Sequence, residues 1–163
     1  MKISFRGIDL IKRHEGLRLT SYKCPAGVWT IGYGHTGNVE HGETITEEVA
    51  EELLRQDLLL TETQLNKLEI DFNQNQFDAL ISFIFNVGWG AFRTSTLLKE
   101  IRKNINGLWY YNTDGVHCNS IREQFKRWKY GGGRVLPGLV KRREDEANLY
   151  LNSNVLASSK QEY

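Results

Sequence analysis

The chain has few of the residues and runs that mark unusual classes of protein. Its 163 residues include two cysteines, two prolines and one methionine. Two cysteines allow at most one internal disulfide, which excludes a small secreted scaffold held by several bridges. The scarcity of proline, with 40% hydrophobic and 25% charged residues, excludes a collagen-like or disordered chain. A chain of this length buries about 70% of its unfolded surface, so it can form a core without cross-links.

Long hydrophobic runs are also missing. No stretch reaches the length of a membrane span, and residues 1–9 are interrupted by charged and polar side chains too often to form the centre of a signal peptide. We therefore predict that the protein does not insert into a membrane and that it accumulates in the cytoplasm. Any activity beyond the membrane would then depend on another factor for release.

The net charge of +1 conceals an uneven distribution. Residues 40–71 contain ten Asp and Glu against two Lys and Arg, whereas residues 122–143 contain eight Lys and Arg against one Glu. These charges either solvate helix faces or, in the basic segment, attract an anionic polymer such as nucleic acid or cell wall. The sequence alone leaves both interpretations open.

Hydrophobic spacing predicts a short first helix over residues 8–14 and a hairpin region of two or three strands over residues 17–42, where glycines alternate with short apolar runs. A helix over 46–65 follows, with Thr44 and Glu47 at capping-box spacing. The most complete apolar stripe predicts a buried helix over 74–86 that ends at Gly88. Further helices are predicted at 94–104, 119–129 and 138–151. With only helices after the hairpin region, the fold class is α+β.

Gly32, Gly34 and Gly37 satisfy the spacing of a dinucleotide-binding fingerprint. That fingerprint requires its last glycine to open a helix within a βαβ unit. Residues 38–44 are turn-like and no parallel crossover follows, so we do not predict nucleotide binding.

Several histidines, acids and a cysteine have the residue types of a zinc site, but none shows a metal-binding spacing. We predict no metal and no cofactor. Cys24 with His35 could form a nucleophile and base pair, as in cysteine peptidases. Cys118 lies in a polar stretch and is interpreted as an incidental thiol. The aromatics of the neighbouring stretch 109–115 either stack on sugars or pack the loop.

Glu15 ends the first predicted helix, immediately before Gly16. A carboxyl group at such a junction can face a cleft between two lobes, where partial burial suits a general acid. The alternative is a solvated glutamate at a helix end.

Glu15, Cys24 and Thr30 are separated by eight and five residues. This spacing resembles the catalytic pattern E-x8-(D or C)-x5-T of phage-type lysozymes, with Cys24 in place of the usual aspartate. Further blocks resemble the same family in the same order: 14–19 (HEGLRL), 29–37 (WTIGYGHTG), 85–88 (FNVG), 95–98 (STLL) and 128–146.

The resemblance implies a lysozyme-like α+β fold with the cleft between two lobes. The smaller lobe would comprise about residues 16–70, built around the hairpin. The helical lobe would comprise residues 1–15 plus 71–163. The helix from residue 46 would connect the two lobes.

The resemblance also implies the chemistry. The substrate would be peptidoglycan, cut at the β-1,4 bond between N-acetylmuramic acid and N-acetylglucosamine during host cell lysis. Glu15 would be the general acid, oriented by an arginine of the Arg142–Arg143 pair, and Cys24 and Thr30 would assist the water or the oxocarbenium-like centre. The substrate-binding candidates are Thr36, His35 and Phe92.

Two other functions are compatible with the same residues. A lytic transglycosylase would use Glu15 alone, and a non-catalytic module would bind the wall through the basic segment. We expect a monomer that has peptidoglycan strands as its partner and does not bind nucleic acid.

Overall fold

The computed structural model describes residues 1–105 and 119–152. Cys118 and the stretch 109–115 lie outside these ranges. The described elements are α1 (Phe5–Glu15), β1 (Arg18–Lys23), β2 (Trp29–Gly32), α2 (Glu47–Asn66), α3 (Gln74–Val87), α4 (Trp89–Arg93), α5 (Thr96–Ile105), α6 (Asn119–Lys126), β3 (Tyr130–Gly131), β4 (Arg134–Val135) and α7 (Pro137–Leu151). The predicted α+β class is confirmed.

Helix α3 is the centre of the core. Its apolar stripe is buried, as the helical spacing predicts: Phe77, Leu80, Ile81 and Ile84 are at most 2% exposed, and Phe85 is partly buried. The helix begins with a capping box, in which Asn73 Oδ1 accepts from Gln76 N at 2.9 Å and Gln76 Oε1 accepts from Asn73 N at 3.0 Å. It ends at Gly88, whose φ of 87° suits glycine. The predicted helix over 74–86 is confirmed.

Helix α1 packs against α3 and α7. Ile8 and Ile11 are fully buried in this contact, and Gly7 allows the close approach to α3, because a Cβ there would lie 2.9 Å from Asp78 Cβ. Asp78, itself buried, accepts hydrogen bonds from the backbone N–H and hydroxyl of Ser4. The start of the chain is therefore fixed to the middle of the core.

Strands β1 and β2 form the antiparallel hairpin that the sequence predicts, with Tyr22 opposite Thr30. The following helix begins next to the predicted residue 46, but its capping residue differs from the prediction. Thr46, whose hydroxyl accepts from Val49 N at 3.3 Å, is the N-cap of α2, whereas Thr44 pairs with Thr20 as an isolated bridge. Because the backbone of Thr44 continues the sheet, the helix cannot begin there.

The expectation of helices alone after the first hairpin was wrong. Strands β3 and β4 form a second hairpin between α6 and α7, with Tyr130 opposite Val135. Its turn consists of Gly132 and Gly133, with φ of 57° and 77°, values that favour glycine. The predicted helix over 119–129 therefore ends earlier, at Lys126, and α4 is an additional short helix that the spacing did not reveal.

Candidate active site

Glu15 is the last residue of α1. The chain leaves the helix at Gly16, which has φ 73° and ψ 152°, a conformation that a side chain would strain. The Glu15 side chain is 23% exposed, and its Oε1 accepts a hydrogen bond of 2.5 Å from Nη1 of Arg142 on α7. The predicted position at the helix end is confirmed, and Arg142 is the arginine of the pair that contacts the carboxylate.

Arg142 belongs to a buried group of charges on α7. Its Nε donates to Glu146 Oε1 at 3.1 Å, and Arg143 Nε lies 3.0 Å from Glu146 Oε2. Burial lowers the pKa of Arg143 to about 10, with Glu146 acting against this shift. Burial also raises the pKa of Glu146, and the two arginines and the Ser82 hydroxyl act against that rise.

Glu15 lies between two open cavities of about 450 and 370 Å³. It lines both of them together with Asn86 of α3. The larger cavity is bounded by α1 and the start of α7, and its further lining includes His14, Leu136, Leu139 and Asp145. The smaller is bounded by the turn after β2, and its further lining includes Tyr33, Gly34, Thr36 and Asp57. The carboxylate can therefore be reached from both sides.

Cys24 and Thr30 lie together in the first hairpin. Backbone hydrogen bonds from Val28 and Ala26, and a further one from the Thr30 hydroxyl, lower the pKa of the Cys24 thiol. Thr30 Oγ1 also lies 3.1 Å from Val28 O. One hydroxyl proton serves only one acceptor at a time, so Thr30 donates either to the carbonyl or to the sulfur. Neither Cys24 nor Thr30 lines the two cavities at Glu15.

The three substrate-binding candidates occupy different environments. Thr36 lines the smaller cavity with Glu15. His35 does not line it; its Nδ1 lies 2.9 Å from Asp57 Oδ1 and its Nε2 lies 2.9 Å from Gly37 O.

Phe92 differs from the prediction. Its side chain is 0% exposed and packs against Phe83 and Trp89, with ring centroids 6.2 and 5.8 Å apart. A ring with no exposed surface cannot contact a substrate in this conformation, so its role is in the core.

Residues that the sequence did not single out also line the site. His14 Nε2 lies 2.9 Å from Asp145 Oδ2, beside Glu15. Burial lowers the pKa of His14, and Asp145 acts against this effect. Asn86 and Asp57 are further examples. Asn86 could have been found as a polar residue near the end of the most apolar helix, whereas Asp57 has no distinctive pattern within its acidic segment.

Within residues 1–105 and 119–152, no group of three or more His, Cys, Asp or Glu side chains could hold a metal ion. None of the helices in the same ranges is long and apolar enough to cross a membrane.

Comparison with known proteins finds a lysozyme family, endolysins and a muramidase domain. The family model for phage lysozyme matches residues 12–146. The chain is 44% identical over 155 residues to an endolysin from Acyrthosiphon pisum secondary endosymbiont phage 1, covering 92% of this chain and 98% of the relative. It is also 44% identical to an endolysin of Bacillus phage B103, covering 93% of this chain but 54% of that protein. The muramidase domain of SpmX from Asticaccaulis excentricus superposes with a TM-score of 0.78 at 38% identity, covering 93% of this chain and 99% of that structure.

This similarity confirms the lysozyme-like fold. It also confirms the class of enzyme that is indicated by a carboxylate in a cleft beside a small hairpin. The chain belongs to the phage lysozyme family. It is a glycoside hydrolase that acts on the peptidoglycan of the bacterial cell wall.

Proposed function

We propose that the enzyme is a muramidase that hydrolyses the β-1,4 bond between N-acetylmuramic acid and N-acetylglucosamine during host cell lysis, with Glu15 as the general acid. The observation that carries this proposal is the position of Glu15 between two open cavities. A glycosidic bond has a sugar on each side, and a carboxyl group between two cavities can reach its bridging oxygen.

Arg142 fixes the Glu15 carboxyl group, and the proton of Glu15 is transferred to the leaving oxygen as the glycosidic bond breaks. Water adds to the muramic acid carbon and gives up a proton to the solvent, from which Glu15 is protonated again, so that the product carries a free reducing end.

Cys24 and Thr30 assist from the hairpin. Because its pKa is lowered, the Cys24 thiol carries more negative charge near neutral pH than an ordinary thiol, which suits stabilisation of an oxocarbenium-like centre. The Thr30 hydroxyl helps to hold the attacking water. Thr36 contacts the substrate in the smaller cavity, while His35 holds the same turn through Asp57.

We also propose the two-lobe arrangement, with residues 16–70 in one lobe and residues 1–15 plus 71–163 in the other. The packing of α1 against α3 and α7 supports the assignment of the first helix to the helical lobe. The monomeric state and storage in the host cytoplasm before lysis stay predictions.

Mass spectrometry of digested peptidoglycan tests the reaction. Hydrolysis yields reducing muramic acid ends, and Glu15→Gln should abolish them while the protein still folds. Products with 1,6-anhydro ends would instead establish a lytic transglycosylase that uses Glu15 alone. The observation that favours this second function is that Cys24 does not line the cavities at Glu15. If the protein sediments with the wall but forms no product, it is a non-catalytic binding module.

A further inference from the structure

Helix α7 carries three buried charges toward α3. Arg142, Arg143 and Glu146 are 3%, 0% and 0% exposed. Buried ion pairs contribute little net stability, since well-packed apolar residues of similar volume often stabilise a core as well or better. Three such charges, one of which contacts the proposed acid directly, therefore call for a role beyond stability.

Glu146 is the acceptor that fixes Arg142. Its Oε1 accepts from Arg142 Nε at 3.1 Å and from the Ser82 hydroxyl at 2.8 Å. Arg142 Nη2 donates to the Ser82 carbonyl at 3.1 Å, which leaves Nη1 for the Glu15 carboxylate. All three nitrogens of the guanidinium are engaged, so its plane and its distance from Glu15 are set by groups that do not line the cleft.

Glu146 also balances the charge of Arg143. Nε of Arg143 lies 3.0 Å from Glu146 Oε2, although the two atoms lack hydrogen-bond alignment. Nη2 of Arg143 donates to Asn86 Oδ1 at 2.8 Å. Asn86 lines both cavities with Glu15. One buried carboxylate thus holds both arginines, which in turn hold the two side chains shared by the cavities.

We propose that Glu146 is a positioning residue of this active site, which fixes Arg142 and Arg143 and thereby sets the place of Glu15 and the balance of charge around it. The inference rests on the proposed function, in which Glu15 donates a proton. With both carboxylates ionised, the two arginines and the two acids are neutral as a group. Without the charge of Glu146, protonated Glu15 would leave two uncompensated buried cations, so the proton-donating form becomes costlier.

Other charged and titratable groups also face Glu15 from the neighbouring elements. They are Arg13 and His14 on α1, Tyr33 after β2, Asp57 on α2, and Lys141 and Asp145 on α7. A Glu146 substitution leaves all of them in place. A change in the pH profile of such a variant therefore reports the loss of the Glu146 charge.

The test compares Glu146→Gln with a matched control, Asp78→Asn. Asp78 is likewise 0% exposed and hydrogen-bonded, but its partners are Ser4 and Gln74, away from the cleft. In Glu146→Gln, kcat on soluble peptidoglycan fragments should fall roughly 10- to 100-fold, as displacement of a catalytic group entails. KM should change less than about twofold, since no substrate contact is removed. The alkaline limb of the pH profile should move to lower pH, and Glu146→Asp should recover part of kcat.

Asp78→Asn should lower the melting temperature and leave kcat and the pH profile unchanged, with all assays run well below each melting temperature. Equal losses of kcat in both variants, or an unmoved pH profile in Glu146→Gln, would overturn the proposal and assign Glu146 to stability alone. Should Glu146→Gln not fold, Ser82→Ala removes only the hydroxyl donor to Glu146 and must shift kcat and the pH profile in the same direction. Activity remaining in Glu15→Gln would refute the proposed function instead, whatever the Glu146 variants do.

Discussion

Cys24 begins a tight turn in which backbone N–H groups point toward its sulfur. The turn is closed by hydrogen bonds from Cys24 N to Val28 O at 2.9 Å and from Gly27 N to Cys24 O at 2.8 Å. The side chain is partly exposed, so solvent and reagents can reach it. The residue therefore offers a direct chemical probe of the hairpin.

Alkylation should modify Cys24 faster at neutral pH than an ordinary thiol, because hydrogen bonds to the sulfur lower its pKa and increase the thiolate fraction. The rate of modification should reach half its maximum below pH of about 8.5, the value for a free cysteine. The experiment uses Cys118→Ser as background, so that one thiol reacts. Modification should abolish lysis, and Cys24→Ser should reduce it; full lytic activity in Cys24→Ser would exclude the assisting role.

His14 should make stability depend on pH. Burial lowers its pKa in the folded protein, so the neutral ring is favoured by folding, and its contribution is present above about pH 6.5, the unfolded value. It is lost as the pH falls through the folded pKa. Denaturant unfolding should therefore show a smaller acid-side loss of stability in His14→Gln than in the wild type. The exposed His41→Gln serves as control and should retain the wild-type dependence.

At the scale of elements, the close packing of α1 on α3 depends on one glycine. A Cβ on Gly7 would lie 2.6 Å from Ile3 Cγ1 and 2.9 Å from Asp78 Cβ. Gly90, in α4, has no neighbour within 4 Å of the corresponding position. The two glycines form a matched pair, since both are helical and only one is enclosed.

Gly7→Ala should lower the free energy of unfolding by about 1–3 kcal/mol, because the added methyl group forces α1 and α3 apart. Gly90→Ala should leave it unchanged or raise it by up to about 1 kcal/mol, since alanine reduces the entropy of the unfolded chain. Urea unfolding measures both. A stable Gly7→Ala protein would mean that α1 shifts on α3 without cost.

Elements with a strong local pattern could be predicted from the sequence, and elements defined by tertiary context could not. The apolar stripe of α3 and the glycines of the first hairpin were sufficient to predict these two elements. The capping residue of α2 was misassigned because two threonines precede the helix and only the pairing of Thr44 with Thr20 distinguishes them. The second hairpin has strands of two residues each, too short for any periodicity.

The site shows the same division. Glu15 could be proposed as the acid because its position relative to Gly16 is local and its spacing to Cys24 and Thr30 resembles a family pattern. Phe92 could not be placed, since its burial depends on Phe83 and Trp89. Glu146 shows its i,i+3 and i,i+4 spacing to Arg143 and Arg142 in the sequence, but this spacing is equally typical of an exposed helix face. Only the contact with Ser82 of α3 reveals that the group is buried.

For the molecule as a whole, the structure reduces the basic surface that the sequence indicates. Of the eight basic residues in 122–143, Arg142 and Arg143 are buried, while Arg122 and Lys126 pair with Glu144. The other four of the eight, Arg127, Lys129, Arg134 and Lys141, have no carboxylate partner among the residues that the structure describes. Two of these flank the exposed pair Tyr130 and Val135 on the second hairpin.

A double variant, Lys129→Gln with Arg134→Gln, should weaken association with purified cell walls at low salt, because the wall carries peptide carboxylates. The measurement is sedimentation in a Glu15→Gln background, where no digestion occurs. Lys2→Gln with Lys67→Gln changes the net charge equally at exposed positions elsewhere and should have a smaller effect. The difference should vanish at about 1 M salt, where screening acts within about 3 Å; equal weakening by both double variants would indicate net charge alone.

The hydrogen bond between Glu15 and Arg142 joins positions 127 residues apart. During synthesis, the acid leaves the ribosome long before the helix that holds its partner, and α3, against which α1 and α7 pack, is made between them. Every incomplete chain that lacks α7 therefore contains the acid without the arginine that orients it. Because α7 is translated after every other described element that lines the cavities at Glu15, the proposed active site is complete only once this helix has been made.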